Sequence, residues 1–249
     1  MVNTDKRAKM LRIAAVFLLI ALILNASFYI FSIVYGEIQE SVFSDELKSL
    51  FNPSDKEDFA KALSNFIMLP ANVADIIISI IAVIMLFALK EKKAGVLLIV
   101  SSCIGIVFIT ATVIIMLTST SDAESISALY AYLITTIIYQ VLIILLGLLL
   151  CGVFKGGTKV AGFIIAGLFI AYILFRITLI ILNIPESINE IKQTIDESGL
   201  TSYDGLITLV DYICGPFVIL FDAVGMILCS FACALRPNKK KDGEVHDAG

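Results

Sequence analysis

Charge is scarce in this chain of 249 residues: charged side chains make up 16%, tryptophan is absent and histidine occurs once. A soluble domain carries about 25% charged residues, and a disordered chain combines high charge with low hydrophobicity. A chain that is 59% hydrophobic is neither, which leaves a polytopic membrane protein. The single histidine, His246, stands in the C-terminal tail, and no HExxH, GxSxG or Walker A motif appears. The expectation is therefore no enzyme, no catalytic residue, no metal and no cofactor. Nor is there a disulfide framework to be expected. Cys103, Cys151, Cys214, Cys229 and Cys233 all fall inside apolar runs rather than in extracellular loops. Cys229 and Cys233 share a helix face without a histidine or acid to complete a metal site, and read as small packing residues. The outer loops also lack a glycosylation sequon, since Asn25-Ala-Ser lies in a span and Asn52 precedes Pro53, which fits a bacterial envelope.

What is present is a set of long apolar runs. A bilayer core about 30 Å thick needs about 20 mainly apolar residues per helix, and six stretches qualify: about 11–35, 71–89, 96–117, 127–154, 160–183 and 206–235. The first is longer than a signal-peptide core and lacks a cleavage site, so it reads as a retained helix. The expected fold is an all-α polytopic membrane protein, a six-transmembrane-helix bundle forming one domain over 1–249. The tail 236–249, basic then polar, is expected to be disordered.

The modest net charge of −4 conceals two opposed faces. Thirteen of the 18 basic residues cluster at one boundary: Lys6, Arg7, Lys9 and Arg12, then Lys90, Lys92 and Lys93, then Lys155 and Lys159, then Arg236 and Lys239 to Lys241. The positive-inside rule makes that side cytoplasmic, giving N-in/C-in and placement in the plasma membrane. The other side is acidic, with Glu37, Asp45, Asp58, Glu124, Glu186 and Asp204 among its carboxylates. Tyr29, Tyr35, Tyr130, Tyr132, Tyr203 and Tyr212 lie near those outer span ends and must supply the interfacial belt alone. The basic patch from Arg236 to Lys241 is expected to meet anionic headgroups.

The outer loops carry their own amphipathic patterns. Phe43, Leu47, Leu50 and Phe51 recur at helical spacing before Asn52-Pro53. Ser54 and Glu57 read as a capping box for a second helix bearing Phe59, Leu63, Phe66 and Ile67, ending before Pro70. In the third loop, Pro185 marks a start, Ile188, Ile191 and Ile195 share a face, and Gly199 a stop. Short amphipathic helices in the first and third outer loops follow, lying on the membrane surface or capping the bundle. Within the spans, Pro216 is expected to break or kink the sixth. Gly147, Gly152, Gly162 and Gly167 are expected to let the fourth and fifth pack closely.

Polar residues recur inside the spans at a regular distance from the basic boundary. Asp75 precedes Lys90 by 15 residues, Gln140 precedes Lys155 by 15, and Asp222 precedes Arg236 by 14. Asn25 follows Lys9 by 16, Thr110 follows Lys93 by 17, and Arg176 follows Lys159 by 17. At 1.5 Å per residue these are depths of roughly 21–26 Å, in the outer third of the core. The spacing hints at related hairpins, though not at sequence identity. An ionised side chain there costs about 2.5–3.5 kcal/mol even on the gentler insertion scale. An ion-paired cluster of Arg176 with Asp75 and Asp222 is the expected way to lower that cost, and would make Arg176→Ala damaging to folding.

This layer can be helix-to-helix glue or a functional site. As a site, its candidate substrate- or ion-binding residues are Asp75, Gln140, Asp222, Arg176, Asn25 and Tyr139. Two functions compete. One is a small-solute or cation transporter, or a membrane subunit of one. The other is a non-catalytic scaffold whose acidic outer loops bind a protein partner. The partners implied are the lipid bilayer, a small solute or cation, and a protein at the acidic outer loops; nucleic acid has no support beyond short basic turns. A water-accessible cavity of about 300 Å³ or more lined by these side chains favours transport; a tightly packed, fully paired layer favours scaffolding.

Overall fold

A computed structural model describes residues 2–40, 50–51, 56–120, 123–154, 157–198 and 203–236. The tail beyond 236 and the expected loop features at 41–49 and 52–55, including the Ser54 cap, lie outside them. Nearly all of the described chain is helical: α1 (Val2–Glu40), α2 (Lys56–Phe87), α3 (Glu91–Ser119), α4 (Ala123–Cys151), α5 (Thr158–Ser198) and α6 (Tyr203–Ala234). Each holds a stretch long and apolar enough to cross a membrane: Thr4–Val34, Ala62–Phe87, Glu91–Ser119, Ile126–Cys151, Thr158–Leu182 and Thr208–Ala234. With six such helices among the described residues, the protein is a multi-pass membrane protein.

Three expected interruptions do not occur. α2 runs through Pro70, α5 through the 185 position and α6 through Pro216 without a break. Proline deletes one donor and crowds the carbonyl four residues back, but neighbouring helical groups and local adjustments accommodate this in membrane helices. The apolar patterns read as separate loop helices, Phe59 to Ile67 and Ile188 to Ile195, are therefore continuous with the helices of the second and fifth spans, the latter beyond the span's end at Leu182. For the second span this moves the start from residue 71 to Ala62 and places Asp75 at its middle.

Two turns are sharply defined. After α2, Leu89 adopts φ 56°, with Leu89 N–H donating to the Leu86 carbonyl (2.9 Å) and Lys90 N–H to Met85 (2.8 Å). After α4, Gly152 takes φ 79°, a left-handed position that glycine fills without a Cβ clash, and Val153 N–H closes on Leu148 (3.1 Å).

The six helices close into a ring, but unevenly. α3 packs extensively on both α2 and α4, and α6 on both α5 and α1, whereas the α1/α2, α4/α5 and α4/α6 contacts are sparse. The bundle is thus two three-helix units, each centred on one helix, that meet sparsely. Glycines explain the tight contacts. A Cβ on Gly95 of α3 would stand 2.5 Å from the Gly147 carbonyl of α4, and one on Gly162 of α5 2.8 Å from the Ser230 carbonyl of α6. On Gly225 of α6 it would meet Leu18 of α1 at 2.6 Å. Backbones this close gain dispersion contacts that larger residues would forbid. The expected role of glycine between the fourth and fifth spans is not what these positions do. Gly147 serves α3/α4, Gly162 serves α5/α6, Gly152 makes the turn and Gly167 has open space.

The core lies toward the basic end. Leu11, Ala14, Leu18, Leu86, Leu146, Leu150, Phe169, Cys229 and Cys233 belong to one buried cluster drawn from both units. All five cysteines are free.

Candidate functional site: a charged cavity between the two units

Above this packed core the units part around a cavity of about 350 Å³ to which every helix contributes one face. Lining positions recur at three- or four-residue intervals: Leu18, Leu22 and Asn25 on α1, Asp75, Ser79 and Val83 on α2, Thr136, Gln140 and Ile143 on α4, and Phe169, Tyr172 and Arg176 on α5. That interval keeps side chains on one helical face. α3 adds Leu98 and Ser101, and α6 adds Val218, Asp222 and Met226. The apolar members nearest the core, including Leu18, Leu98, Ile143 and Met226, are buried and form the floor.

Asp75, Gln140, Asp222, Arg176, Asn25 and Tyr139 all line this cavity. Thr110 does not. It lies nine residues beyond Ser101, two and a half turns, and so on the opposite face of α3. Nor do the six share one depth. Asp75 and Asp222 each stand twelve residues, about 18 Å, from the basic end of their helices, and Gln140 eleven residues, about 17 Å. Arg176 stands eighteen residues, about 27 Å, from the start of α5. The acids and the amide are at mid-span and the guanidinium is toward the far end. Counting from flanking lysines blurred this, because Lys93 already lies inside α3 and Arg236 lies past the end of α6.

Local contacts position the polar groups. The Ser101 hydroxyl donates to Asp75 Oδ1, tying α3 to α2. Gly105 of α3 leaves room for the Gln140 amide, whose Nε2 would be 3.0 Å from a Cβ there. Across the α4/α5 seam, Tyr139 and Tyr172 stack with centroids 5.5 Å apart and an interplanar angle of 25°. Asp75 from one unit and Asp222 from the other both line the cavity. The expected ion-paired cluster is not formed: among the described residues, no hydrogen bond or ion pair engages Arg176, whose charge instead reaches Tyr172. By count from the helix ends, the backbone at Arg176 stands about two turns beyond those at Asp75 and Asp222. One cavity thus holds two carboxyls and a guanidinium that has no ion-pair partner among the described residues.

Ser79, Ser101, Thr136 and Tyr172 are site residues that the layer did not include. Three of them had a signal: Asp75–Ser79, Thr136–Gln140 and Tyr172–Arg176 are i, i+4 polar pairs in otherwise apolar spans.

A second polar assembly closes the basic end. Glu91, the first residue of α3, accepts hydrogen bonds from Arg7 of α1 and from Arg236 just beyond α6. The side chains are only 12%, 15% and 26% exposed respectively. Arg7 Nε also donates to the Ala232 carbonyl (3.2 Å) and Arg236 to the Leu150 carbonyl (3.3 Å). Glu91 belongs to one unit and both arginines to the other, so the cluster bridges them. Arg236, expected to meet lipid headgroups, is occupied here instead.

No protein-family model, curated protein or solved structure matches the chain.

Proposed function

We propose that this protein binds a small solute or cation in the inter-unit cavity and acts as a transporter, or as the membrane subunit of one. The reading includes a plasma-membrane location with both termini cytoplasmic, in accord with the basic boundary. It assigns no catalysis. The observation that carries it is the cavity itself: about 350 Å³, lined by polar and charged side chains from separate helices, at mid-span, between two units that meet only along sparse seams. Polar groups inside a membrane are costly and face the interior or a water-filled space. A cavity between two bundles is also where solute sites lie when one bundle rocks against the other. A packed and fully paired layer would favour the scaffold reading, with a partner at the acidic outer loops. Arg176 beside an open volume, with no ion pair among the described residues, favours transport instead.

The test is cysteine accessibility scanning in a background from which the five native cysteines have been removed. Single cysteines at positions 75, 140, 176 and 222 are expected to react with a membrane-impermeant thiol reagent applied to the acidic side. Absence of labelling from either side would overturn the reading.

A further inference from the structure

The charges in the cavity narrow the class of solute. A site for a simple cation would surround it with oxygen ligands and would not place a guanidinium in the same volume. Among the described residues, no group of three or more histidine, cysteine or acidic side chains is arranged to hold a metal ion. A site for an anion would not pair two carboxyls at mid-span. Here both occur: Asp75 and Asp222 line the cavity at equal distances from the ends of their helices, and Arg176, without an ion pair among the described residues, stands about 9 Å further along the helix direction by residue count. All three line the same cavity, whose wall includes the stacked rings of Tyr139 and Tyr172. The volume corresponds to about a dozen water molecules at about 30 Å³ each, enough for a small organic molecule and too little for a peptide.

Resting on the transport reading above, we propose that the solute is a small zwitterion of the amino-acid class. Its ammonium sits between Asp75 and Asp222, its carboxylate on Arg176, and its side chain against the Tyr139–Tyr172 wall. The ammonium supplies three donors to carboxylate oxygens, and Gln140 and Ser101 offer further hydrogen-bonding groups beside them. The guanidinium can take a carboxylate in a bidentate fork, which lysine could not do. Such a solute completes two half-sites at once and leaves neither charge buried alone. A pure amine would leave Arg176 unpaired, and a pure acid would bring its charge into a cavity that already holds two carboxyls.

The experiment is a binding measurement on the purified protein in lipid nanodiscs, read by thermal shift and equilibrium dialysis. The probes are the twenty standard amino acids, followed by phenethylamine and 3-phenylpropanoate as the amine-only and acid-only counterparts of phenylalanine. At least one amino acid is expected to bind, and each single-charge analogue to bind about tenfold more weakly or worse, in line with one lost charge-assisted contact. Arg176→Gln should abolish the preference for phenylalanine over phenethylamine, and Arg176→Lys should restore only part of it. Equal binding of phenethylamine and phenylalanine, unaffected by Arg176→Gln, would overturn the zwitterion and leave a cationic solute. Failure of every amino acid to bind, while cysteines in the cavity still label, would overturn it too. Failure of labelling as well would instead remove the transport reading on which it rests. The wild-type comparison of probes stands even if a variant does not fold.

Discussion

The two ends of this bundle are built on opposite principles. At the basic end, backbones approach until a single Cβ would not fit, apolar side chains fill the space, and the one acid at the start of α3 is met by two arginines. Toward the other end the same six helices diverge around open volume lined by two carboxyls and an arginine that has no ion-pair partner among the described residues. The seams between the units run through both halves, yet among the described residues only the basic half carries an ion-paired tie across them. The buried core and the charged tie lie at that end, and the polar side chains at mid-span line open volume. Sites that bind ligands are commonly drawn from the less stable parts of a structure.

Removing the tie should have the largest effect. Glu91→Ala leaves Arg7 and Arg236 partly buried without their carboxylate, and breaking such a pair costs about 3–5 kcal/mol. A strong fall in melting temperature in detergent is expected, and an unchanged Tm would break the contrast between the ends. Overpacking comes next. Gly95→Ala forces its Cβ against the Gly147 carbonyl and the Cys151 sulfur, a strain of about 1–3 kcal/mol, visible as a lower Tm and reduced yield. Gly152→Ala should cost about 1–2 kcal/mol. It puts a side chain at φ 79° and a Cβ 3.0 Å from the Arg236 guanidinium.

Substitutions in the cavity should be the mildest for stability and the most severe for binding. With no ion pair to lose, Arg176→Gln is expected to leave Tm within the range of a neutral change, about 0.5 kcal/mol, or to raise it. Asp222→Asn removes one of the cavity's two carboxyl charges and should behave likewise. A collapse of either variant in a detergent melting assay would mean that the cavity groups are structural ties after all.

Much of the architecture was legible in hydropathy alone, because a span's length is set by the bilayer and its composition by the absence of water. Six spans follow from the runs themselves. Proline is a weaker boundary than it looks in the sequence: α2 continues through Pro70 and α5 through position 185, because one missing donor does not end a helix whose apolar pattern continues. Distance from the lysines brought out a polar layer but not its geometry. The ruler began at residues that sit at different points relative to the helix ends, and it carried no information on facing, which is why Thr110 stood in for Ser101. Glu91 was overlooked for a different reason. An acid among Lys90, Lys92 and Lys93 looks like a charge to be averaged away, whereas its meaning depends on Arg7 and Arg236, each more than 80 residues distant in the chain. The units themselves had no sequence signal, since glycine spacing does not say which neighbour a helix will choose.

The account's central claim is that water reaches mid-span from the acidic side and stops at the packed core. It is tested most directly by comparing the labelling rates of two single cysteines, one introduced at position 222 and the native Cys229, two turns nearer the basic end. With an impermeant maleimide applied to the acidic side, position 222 should react readily and Cys229 should stay protected. Equal protection of both, or reaction at 222 only from the basic side, would contradict it.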